Sequence, residues 1–363
     1  MKKIALTLFA ALALLACNHY DYTLSGDAVN TNINDSEIFL AERIGRQYIN
    51  IDSAKVEDGK FLLQGNIDTA KIVFLIGQYK SGESFRHAFV LEKGNILVTI
   101  DSSSIRFAGT PENENLQLYS DQKTELYTAY DNFTKTYDST FTAEQEAAFT
   151  AKLHEFDLID EQQDLEFAFN NINTVAGTHV FTSSAYYYLG IAERDSLFAL
   201  MTEKTKAIPA VKLIIENTEI LRKTAAGQQF SDFAYQTPEG ETLALSALIG
   251  KSDYVLIDFW ASWCGPCINS FPEVRTFYQK YKGKKLEILG VSLDKNKESW
   301  IAAIAKHKLA WKHVSDLKYW DSEPAKLYGV RAIPSTVLID KNGIIAGRNL
   351  DIQSIEKLLL EKH

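Results

Sequence analysis

The segment Val255–Cys267 reads VLIDFWASWCGPC, an apolar run that ends in two cysteines separated by Gly265-Pro266. Short continuous apolar runs bounded by turn residues are typical of strands that are buried on both faces. The segment therefore predicts a buried strand over Tyr254–Phe259. We expect a helix to begin at Cys264, directly after that strand.

A Cys-x-x-Cys pair serves either zinc binding or redox chemistry. A structural zinc site needs four ligands, but the chain has one such pair and no histidine pair at ligand spacing near it. His307 and His313 are interpreted as surface or packing residues, and no metal site is expected. At a helix N-terminus, unpaired N–H groups and the helix dipole stabilise a thiolate, which lowers the pKa of Cys264 from about 8.5 toward about 7. Cys264 would attack a substrate disulfide, and Cys267 would resolve the mixed disulfide.

The same stretch resembles the active-site strand and motif of thioredoxins. Three further features resemble the membrane-tethered TlpA-like branch of that family: GQQFSDF at 227–233, ETLALSALIGK at 241–251, and a helix–strand insertion before Tyr328. The resemblance covers roughly residues 225–363. It implies a thioredoxin fold and thiol–disulfide exchange with protein disulfides, a reaction for which no cofactor is expected.

The resemblance also implies roles for residues around the cysteines. Asp258 matches the family's buried carboxylate, whose pKa would be raised by burial so that it could take the proton from Cys267; the alternative is a solvated strand end. Trp263 would shield the disulfide and contact substrate, together with Gly265 and Pro266.

Ile333-Pro334 matches the family's cis-proline loop, in which the backbone of Ile333 would pair with an extended substrate. The alternative is a trans proline in an ordinary loop. Many TlpA-like reductases have a glutamate three residues after the second cysteine, but this chain has Ser270 there. A proton-shuttling glutamate at that place is therefore not carried over.

The N-terminal stretch 1–17, MKKIALTLFAALALLAC, has a short basic region followed by an apolar region of signal-peptide length. Its end, Leu14-Leu15-Ala16-Cys17, resembles a bacterial lipoprotein signal. The resemblance implies that Cys17 carries lipid and anchors the protein to a membrane of the cell envelope, facing the periplasm. An ordinary cleaved signal peptide is the alternative, and it too implies export.

The rest of the chain divides into three segments by its sequence patterns. Residues 18–110 predict an antiparallel sandwich or small barrel and resemble a β-rich domain of unknown function that precedes thioredoxin domains in envelope lipoproteins. Residues 111–223 predict helices, one of them opened by a capping box at Thr142–Gln145. Residues 224–363 alternate strand and helix, which predicts a mainly parallel sheet. The strands predicted in the first segment lie at 22–26, 61–65, 72–76, 87–91, 96–100 and 107–109.

Composition excludes some functions and leaves others open. A net charge of −9 argues against nucleic-acid binding, and three cysteines are too few for a disulfide framework. A peroxidase is not expected, because its PxxxTxxC pattern would need proline and threonine where Ile257 and Ala261 precede Cys264. The favoured function is a disulfide reductase supplied by a membrane electron donor. A disulfide oxidase or isomerase, or a partner-binding lipoprotein with a vestigial redox domain, remains as an alternative.

Overall fold

The computed structural model describes residues 20–28, 33, 36–45, 47–101 and 104–361. The predicted signal segment 1–17, with Cys17, lies outside them. The described chain forms two compact units. The first extends to Gly190 and includes Asp195–Val211; the second comprises Ile191–Arg194 and the chain from Lys212 onward. Within the described ranges, no helix is both long and apolar enough to span a membrane.

Two four-stranded sheets form a sandwich in the first unit. Their strands are β1 Tyr22–Ala28, β2 Glu37–Ile44, β3 Gln47–Lys55, β4 Lys60–Gly65, β5 Lys71–Gln78, β6 Ser84–Leu91, β7 Gly94–Ile100 and β8 Ile105–Ala108. The sheets have the strand orders β4-β1-β7-β8 and β3-β2-β5-β6. Leu24 and Ile96 of one sheet share a hydrophobic core with Leu40, Leu75 and Phe89 of the other.

The predicted strands of this region all fall on observed strands, but the hairpin of β2 and β3 was not predicted. In β3, most side chains are exposed and none is buried. Because the strand does not need an apolar face, its sequence, QYINIDSAK, mixes polar and apolar residues and has no clear apolar run. Pairing with β2, rather than burial, holds it in the sheet.

Helices follow the sandwich: α1 Pro111–Thr134, α2 Ala143–Asn171, α3 Val175–Ser183, α4 Ile191–Leu200, α5 Glu203–Lys206 and α6 Pro209–Lys223. The predicted capping box opens α2, because Thr142 and Gln145 each accept a hydrogen bond from the other's backbone N–H. Lys123 of α1 is buried and its ammonium binds the carboxylates of Asp160 and Asp164 on α2. A buried ion pair of this kind fixes how the two helices align.

The helices do not form a third unit, which differs from the predicted division at 111–223. Helices α1 to α3 belong to the first unit, together with the two four-stranded sheets. Helix α6 belongs to the second unit from Lys212 onward. Its Asn217 Nδ2 donates to the carbonyl of Gly329 at 3.2 Å. Just beyond α6, Arg348 Nη1 donates to Thr224 Oγ1 at 2.9 Å. These bonds join the end of the helical segment to the C-terminal sheet.

A seven-stranded sheet forms the centre of the second unit, with the order β10-β9-β13-β12-β11-β14-β15. Its strands are β9 Ala234–Gln236, β10 Thr242–Ala244, β11 Tyr254–Trp260, β12 Leu286–Ser292, β13 Lys312–Ser315, β14 Ser335–Asp340 and β15 Ile345–Arg348. The helices are α7 Gly265–Tyr281, α8 Lys297–His307, α9 Glu323–Leu327 and α10 Ile352–Leu360. Strand β11 pairs in parallel with β12 and antiparallel with β14. This is the thioredoxin fold that the resemblance implied for residues 224–363. The prediction of a mainly parallel sheet was wrong, because only the pairings of β11 with β12 and of β12 with β13 are parallel and the other four are antiparallel.

Asn113 connects α1 to the sandwich and should matter strongly for its stability. The buried amide accepts a hydrogen bond from Val90 N–H at 2.9 Å and donates to the Val90 carbonyl at 2.7 Å. Asn113→Ala would leave both backbone groups unsatisfied, so we expect it to lower the free energy of unfolding by about 2–3 kcal/mol. Denaturant titration measures the change. The matched control is Asn132→Ala, an exposed position of the same helix, and an equal effect of both variants would contradict the role of Asn113.

Candidate active site

The site begins where β11 ends. All seven residues of β11 are buried, and the Leu293 N–H donates to the Trp260 carbonyl at 2.8 Å, which holds the end of β11 against the end of β12. The chain then turns through 261–263 and enters α7. A buried central strand thus fixes the point from which the cysteines project.

Asp294 anchors this turn, and it was not predicted. The buried carboxylate accepts hydrogen bonds from Ser262 N–H at 3.0 Å and from Ser262 Oγ–H at 2.6 Å. Its other contact is with Ser292, whose hydroxyl donates to it at 2.7 Å. Asp294 lies 30 residues after Cys264 in the sequence, so only the pairing of β11 with β12 brings it to the turn.

Cys264 is the N-cap residue of α7, and a disulfide joins it to Cys267 with 5.3 Å between the Cα atoms. The Cys267 N–H donates to Cys264 Sγ at 3.2 Å. The sulfur of Cys264 therefore satisfies one of the amide groups that a helix leaves unpaired at its N-terminus. Cys264 is 4% exposed and Cys267 is 0% exposed, so solvent reaches the pair through Cys264. Gly265 and Pro266, between them, are exposed.

The predicted cis-proline loop lies next to the disulfide. The Ile333–Pro334 peptide bond is cis, as the resemblance implied. The carbonyl oxygen of Ile333 lies 3.7 Å from Cys264 Sγ, and Pro334 is exposed while Ile333 is partly buried. The structure thus brings together the two segments that the sequence separates by about 70 residues.

Trp263 is 45% exposed and stands directly before Cys264. Its ring packs on two aromatic residues that were not predicted, with centroid distances of 5.0 Å to Tyr319 and 6.0 Å to Trp320. Lys295 Nζ lies 4.8 Å from the centroid of the Tyr319 ring. In the sequence, the only sign of this contact is the adjacent pair Tyr319-Trp320 in the insertion before Tyr328. Nothing in the spacing of that pair relates it to the Cys-Gly-Pro-Cys motif.

Asp258 is buried, as predicted, which excludes a solvated strand end. Burial raises the pKa of Asp258 to about 7 because the ionised form loses hydration. Trp260, two residues later on the same face of β11, packs edge-on against Phe271 of α7 with 5.4 Å between centroids. Cys267 lies one turn before Phe271 on the same side of α7. Asp258 therefore belongs to the face of the sheet that packs against α7 and Cys267.

Ser270 occupies the position where many TlpA-like reductases have a glutamate. Its hydroxyl donates to the Cys267 carbonyl at 2.8 Å, so it serves the helix backbone. Glu273, the next acidic residue, is exposed. Among the residues that the structure describes, no group of three or more His, Cys, Asp or Glu side chains is arranged to hold a metal ion.

Two family models match the chain. Residues 226–348 match the AhpC/TSA family, and residues 22–116 match a domain of unknown function (DUF4369). The first lies within the second unit, whose Cys-Gly-Pro-Cys segment lacks the peroxidase residues noted above. The second covers the sandwich, and its description assigns no activity.

Curated relatives are similar to the C-terminal part of the chain. Thiol-disulfide oxidoreductase ResA of Geobacillus kaustophilus is 30% identical over 139 residues, which are 38% of this chain and 76% of that protein. ResA of Halalkalibacterium halodurans is 31% identical over 122 residues, which are 33% of this chain and 65% of that protein. The chain spans slightly less than two thirds of the length of the Halalkalibacterium halodurans protein.

Solved structures are similar over the same part. A thiol-disulfide oxidoreductase from Bacteroides fragilis has 32% identity and a TM-score of 0.34, covering 36% of this chain and 99% of that chain. The thioredoxin domain of a thiol-disulfide oxidoreductase from Bacteroides vulgatus has 29% identity and a TM-score of 0.35, covering 37% of this chain and 98% of that chain.

The strand–turn–helix with its N-capping cysteine, the adjacent cis proline and the similarity to ResA lead to one conclusion: this chain is an enzyme of the ResA/TlpA-like family of thioredoxin-fold thiol–disulfide oxidoreductases.

Proposed function

We propose that the chain is a disulfide reductase of the cell envelope, in which Cys264 attacks the substrate disulfide and Cys267 resolves the intermediate. The observation that carries the proposal is the position of Cys264 Sγ, which caps α7 and accepts the Cys267 N–H at 3.2 Å. Amide groups at a helix N-terminus stabilise a thiolate there, and the thiolate is the reactive form of cysteine.

The reaction exchanges two electrons between two dithiol pairs. The Cys264 thiolate attacks one sulfur of the substrate disulfide, and the other substrate sulfur leaves as a thiolate that takes a proton from solvent. The thiol of Cys267 then gives its proton to ionised Asp258 and attacks Cys264 Sγ. The second substrate sulfur leaves, the substrate is reduced, and the Cys264–Cys267 disulfide remains. A membrane electron donor would return the pair to the dithiol form.

Substrate contact is assigned to the exposed surface around Cys264. Trp263 offers a flat apolar contact on one side, and Ile333-Pro334 offers backbone on the other. Gly265 and Pro266 are exposed between these sides, so a polypeptide can approach the sulfur without meeting a side chain at 265. An extended segment of a protein substrate fits this arrangement.

Two features support the reducing direction in this proposal, the buried carboxylate and the motif. Above about pH 7, Asp258 carries a negative charge on the face of the sheet that holds Cys267, which disfavours a thiolate nearby and so favours the disulfide form of the pair. A pair that prefers to be oxidised is a reductant. The Cys-Gly-Pro-Cys motif resembles reducing members of the family, whereas an oxidase or isomerase would need the opposite balance.

Location is part of the same proposal. Lipid on Cys17 would hold the chain on an envelope membrane with both units on the periplasmic side. Substrates would then be disulfides of exported proteins, since disulfides form and persist in that compartment.

A pair of single substitutions tests disulfide exchange directly. Cys267→Ser leaves the attacking thiol but no resolving thiol, so it should accumulate mixed disulfides with envelope proteins, visible as complexes that disappear on reduction. Cys264→Ser is the matched control and should accumulate at least tenfold less complex. Equal accumulation in both variants would reject the assigned roles, and none in either would favour a vestigial redox domain.

Alkylation distinguishes the two thiols in the reduced protein. We expect iodoacetamide at neutral pH to modify Cys264 at least about tenfold faster than Cys267, because Cys264 caps the helix and is the more exposed sulfur. Peptide mapping by mass spectrometry reports each site separately. Faster modification of Cys267 would reverse the assignment.

The raised pKa of Asp258 makes a prediction about stability. Between its ordinary value of 3.8 and about 7, the folded state binds more protons at this group than the unfolded state, so its contribution to the free energy of unfolding falls as pH rises. Asp258→Asn should therefore stabilise the protein at pH 8, by up to about 4 kcal/mol, and have little effect near pH 4. Denaturant titration at both pH values measures this.

The control for Asp258→Asn is Glu273→Gln, an exposed position on α7. It should show no comparable difference between the two pH values. Destabilisation by Asp258→Asn at pH 8 would contradict a pKa of Asp258 raised by burial.

A further inference from the structure

Three neighbouring strands place Asp258, Gly290 and His313 in one row across the sheet. Asp258 of β11 pairs with Gly290 of β12, and Gly290 pairs with His313 of β13, in parallel register. Residues that are in register on parallel neighbours point to the same face of a sheet. The row therefore lies on the face of Trp260 and α7, next to the resolving cysteine.

Glycine at the middle of the row lets two side chains meet above it. A Cβ atom at Gly290 would lie 2.4 Å from His313 Nδ1 and 3.0 Å from Trp260 Nε1. No side chain other than hydrogen fits there unless these rings move. The His313 ring thus occupies the space above β12, with Nδ1 over Gly290 and Trp260 Nε1 beside the same point.

The polar atoms around Gly290 have no hydrogen-bond partners within the described part of the chain. His313 is 3% exposed, and neither of its ring nitrogens has a hydrogen bond of good geometry, although the Leu309 carbonyl lies near the ring. Trp260 is 0% exposed and its Nε1 is unpaired. The carboxyl of Asp258 is buried, and burial is the one influence that shifts its pKa. Buried polar groups left unpaired cost free energy, and a buried water typically makes about three hydrogen bonds to such groups.

We propose that one buried water molecule bridges Asp258, Trp260 and His313. The Trp260 N–H donates to the water, and the water donates one hydrogen to His313 Nδ1 and the other to the Asp258 carboxylate. Trp260 Nε1, His313 Nδ1 and the Asp258 carboxylate then each have a partner. His313 is accordingly a positioning residue: it holds the water that stabilises ionised Asp258, and so sets the pH above which Asp258 can accept a proton.

His313 has the protonation state that this role needs. Burial lowers its pKa to about 4, opposed by the nearby carbonyl of Leu309 and the charge of Glu239, so the ring is neutral at pH 7 and its unprotonated nitrogen can accept a hydrogen bond. The other titratable groups around this face are Cys267 on α7, His307 of α8, whose ring packs on Phe271 at 5.5 Å, and Glu239 in the exposed turn between β9 and β10. Among these groups, only Cys267 exchanges a proton with Asp258 in the proposed reaction.

The test is the titration of the Asp258 carboxyl carbon by ¹³C NMR in the full chain, assigned by its loss in Asp258→Asn. His313→Leu removes the acceptor that holds the water, so the titration midpoint should move upward by at least about one pH unit. His313→Gln keeps a hydrogen-bonding group of similar size and should stay close to the wild-type midpoint. Trp260→Phe removes the indole N–H together with part of the ring, and it should move the midpoint in the same direction as His313→Leu.

An unchanged midpoint in folded His313→Leu and in Trp260→Phe would overturn the water link. A shift of the same size in His313→Gln would overturn it as well, because volume rather than hydrogen bonding would then be the cause. The water bridge rests on the proposed function, in which Asp258 accepts the proton of Cys267. The bridge and that proposed function can fail separately. The NMR midpoint requires no disulfide exchange, whereas resolution of a mixed disulfide at pH 7 should slow about fivefold in His313→Leu only if Asp258 is the proton acceptor.

Discussion

The hydrogen bond from the Cys267 N–H to Cys264 Sγ is the interaction on which the redox site depends. It exists because the buried strand β11 ends four residues before Cys264, and because the turn between them is held by Asp294. The sulfur therefore takes the place that a serine or aspartate oxygen takes at other helix N-termini. An ordinary feature of helix ends thereby becomes a means of stabilising a reactive thiolate.

The two sulfurs occupy different surroundings although they lie one helical turn apart. Cys264 meets solvent, the amide groups of α7 and the carbonyl of Ile333, whereas Cys267 is fully buried on the face that contains Asp258. Exposure and amide groups suit a sulfur that attacks substrate. Burial beside a carboxyl of raised pKa suits a sulfur that must lose its proton inside the protein. The proposed division of labour between the cysteines follows from this difference.

Much of the second unit could be predicted from the sequence because its information is local. A few adjacent residues are enough to predict the local structure of the apolar run of β11, the Cys-Gly-Pro-Cys motif and Ile333-Pro334. Asp294, His313 and Tyr319 could not be predicted, since each reaches the site only through strand pairing or through the insertion before α9. The β2–β3 hairpin was not predicted for a different reason. No side chain of β3 is fully buried, so its sequence has no apolar pattern that indicates a strand.

The equilibrium reduction potential of the Cys264–Cys267 pair tests the central claim most directly. The purified protein would be equilibrated in thiol redox buffers and the oxidised fraction measured. The account predicts a value of about −230 mV or lower, toward the value of about −270 mV of thioredoxin. Such a value is expected for a reductant that needs an electron donor. A value of about −180 to −120 mV, the range of disulfide isomerases and oxidases, would contradict it.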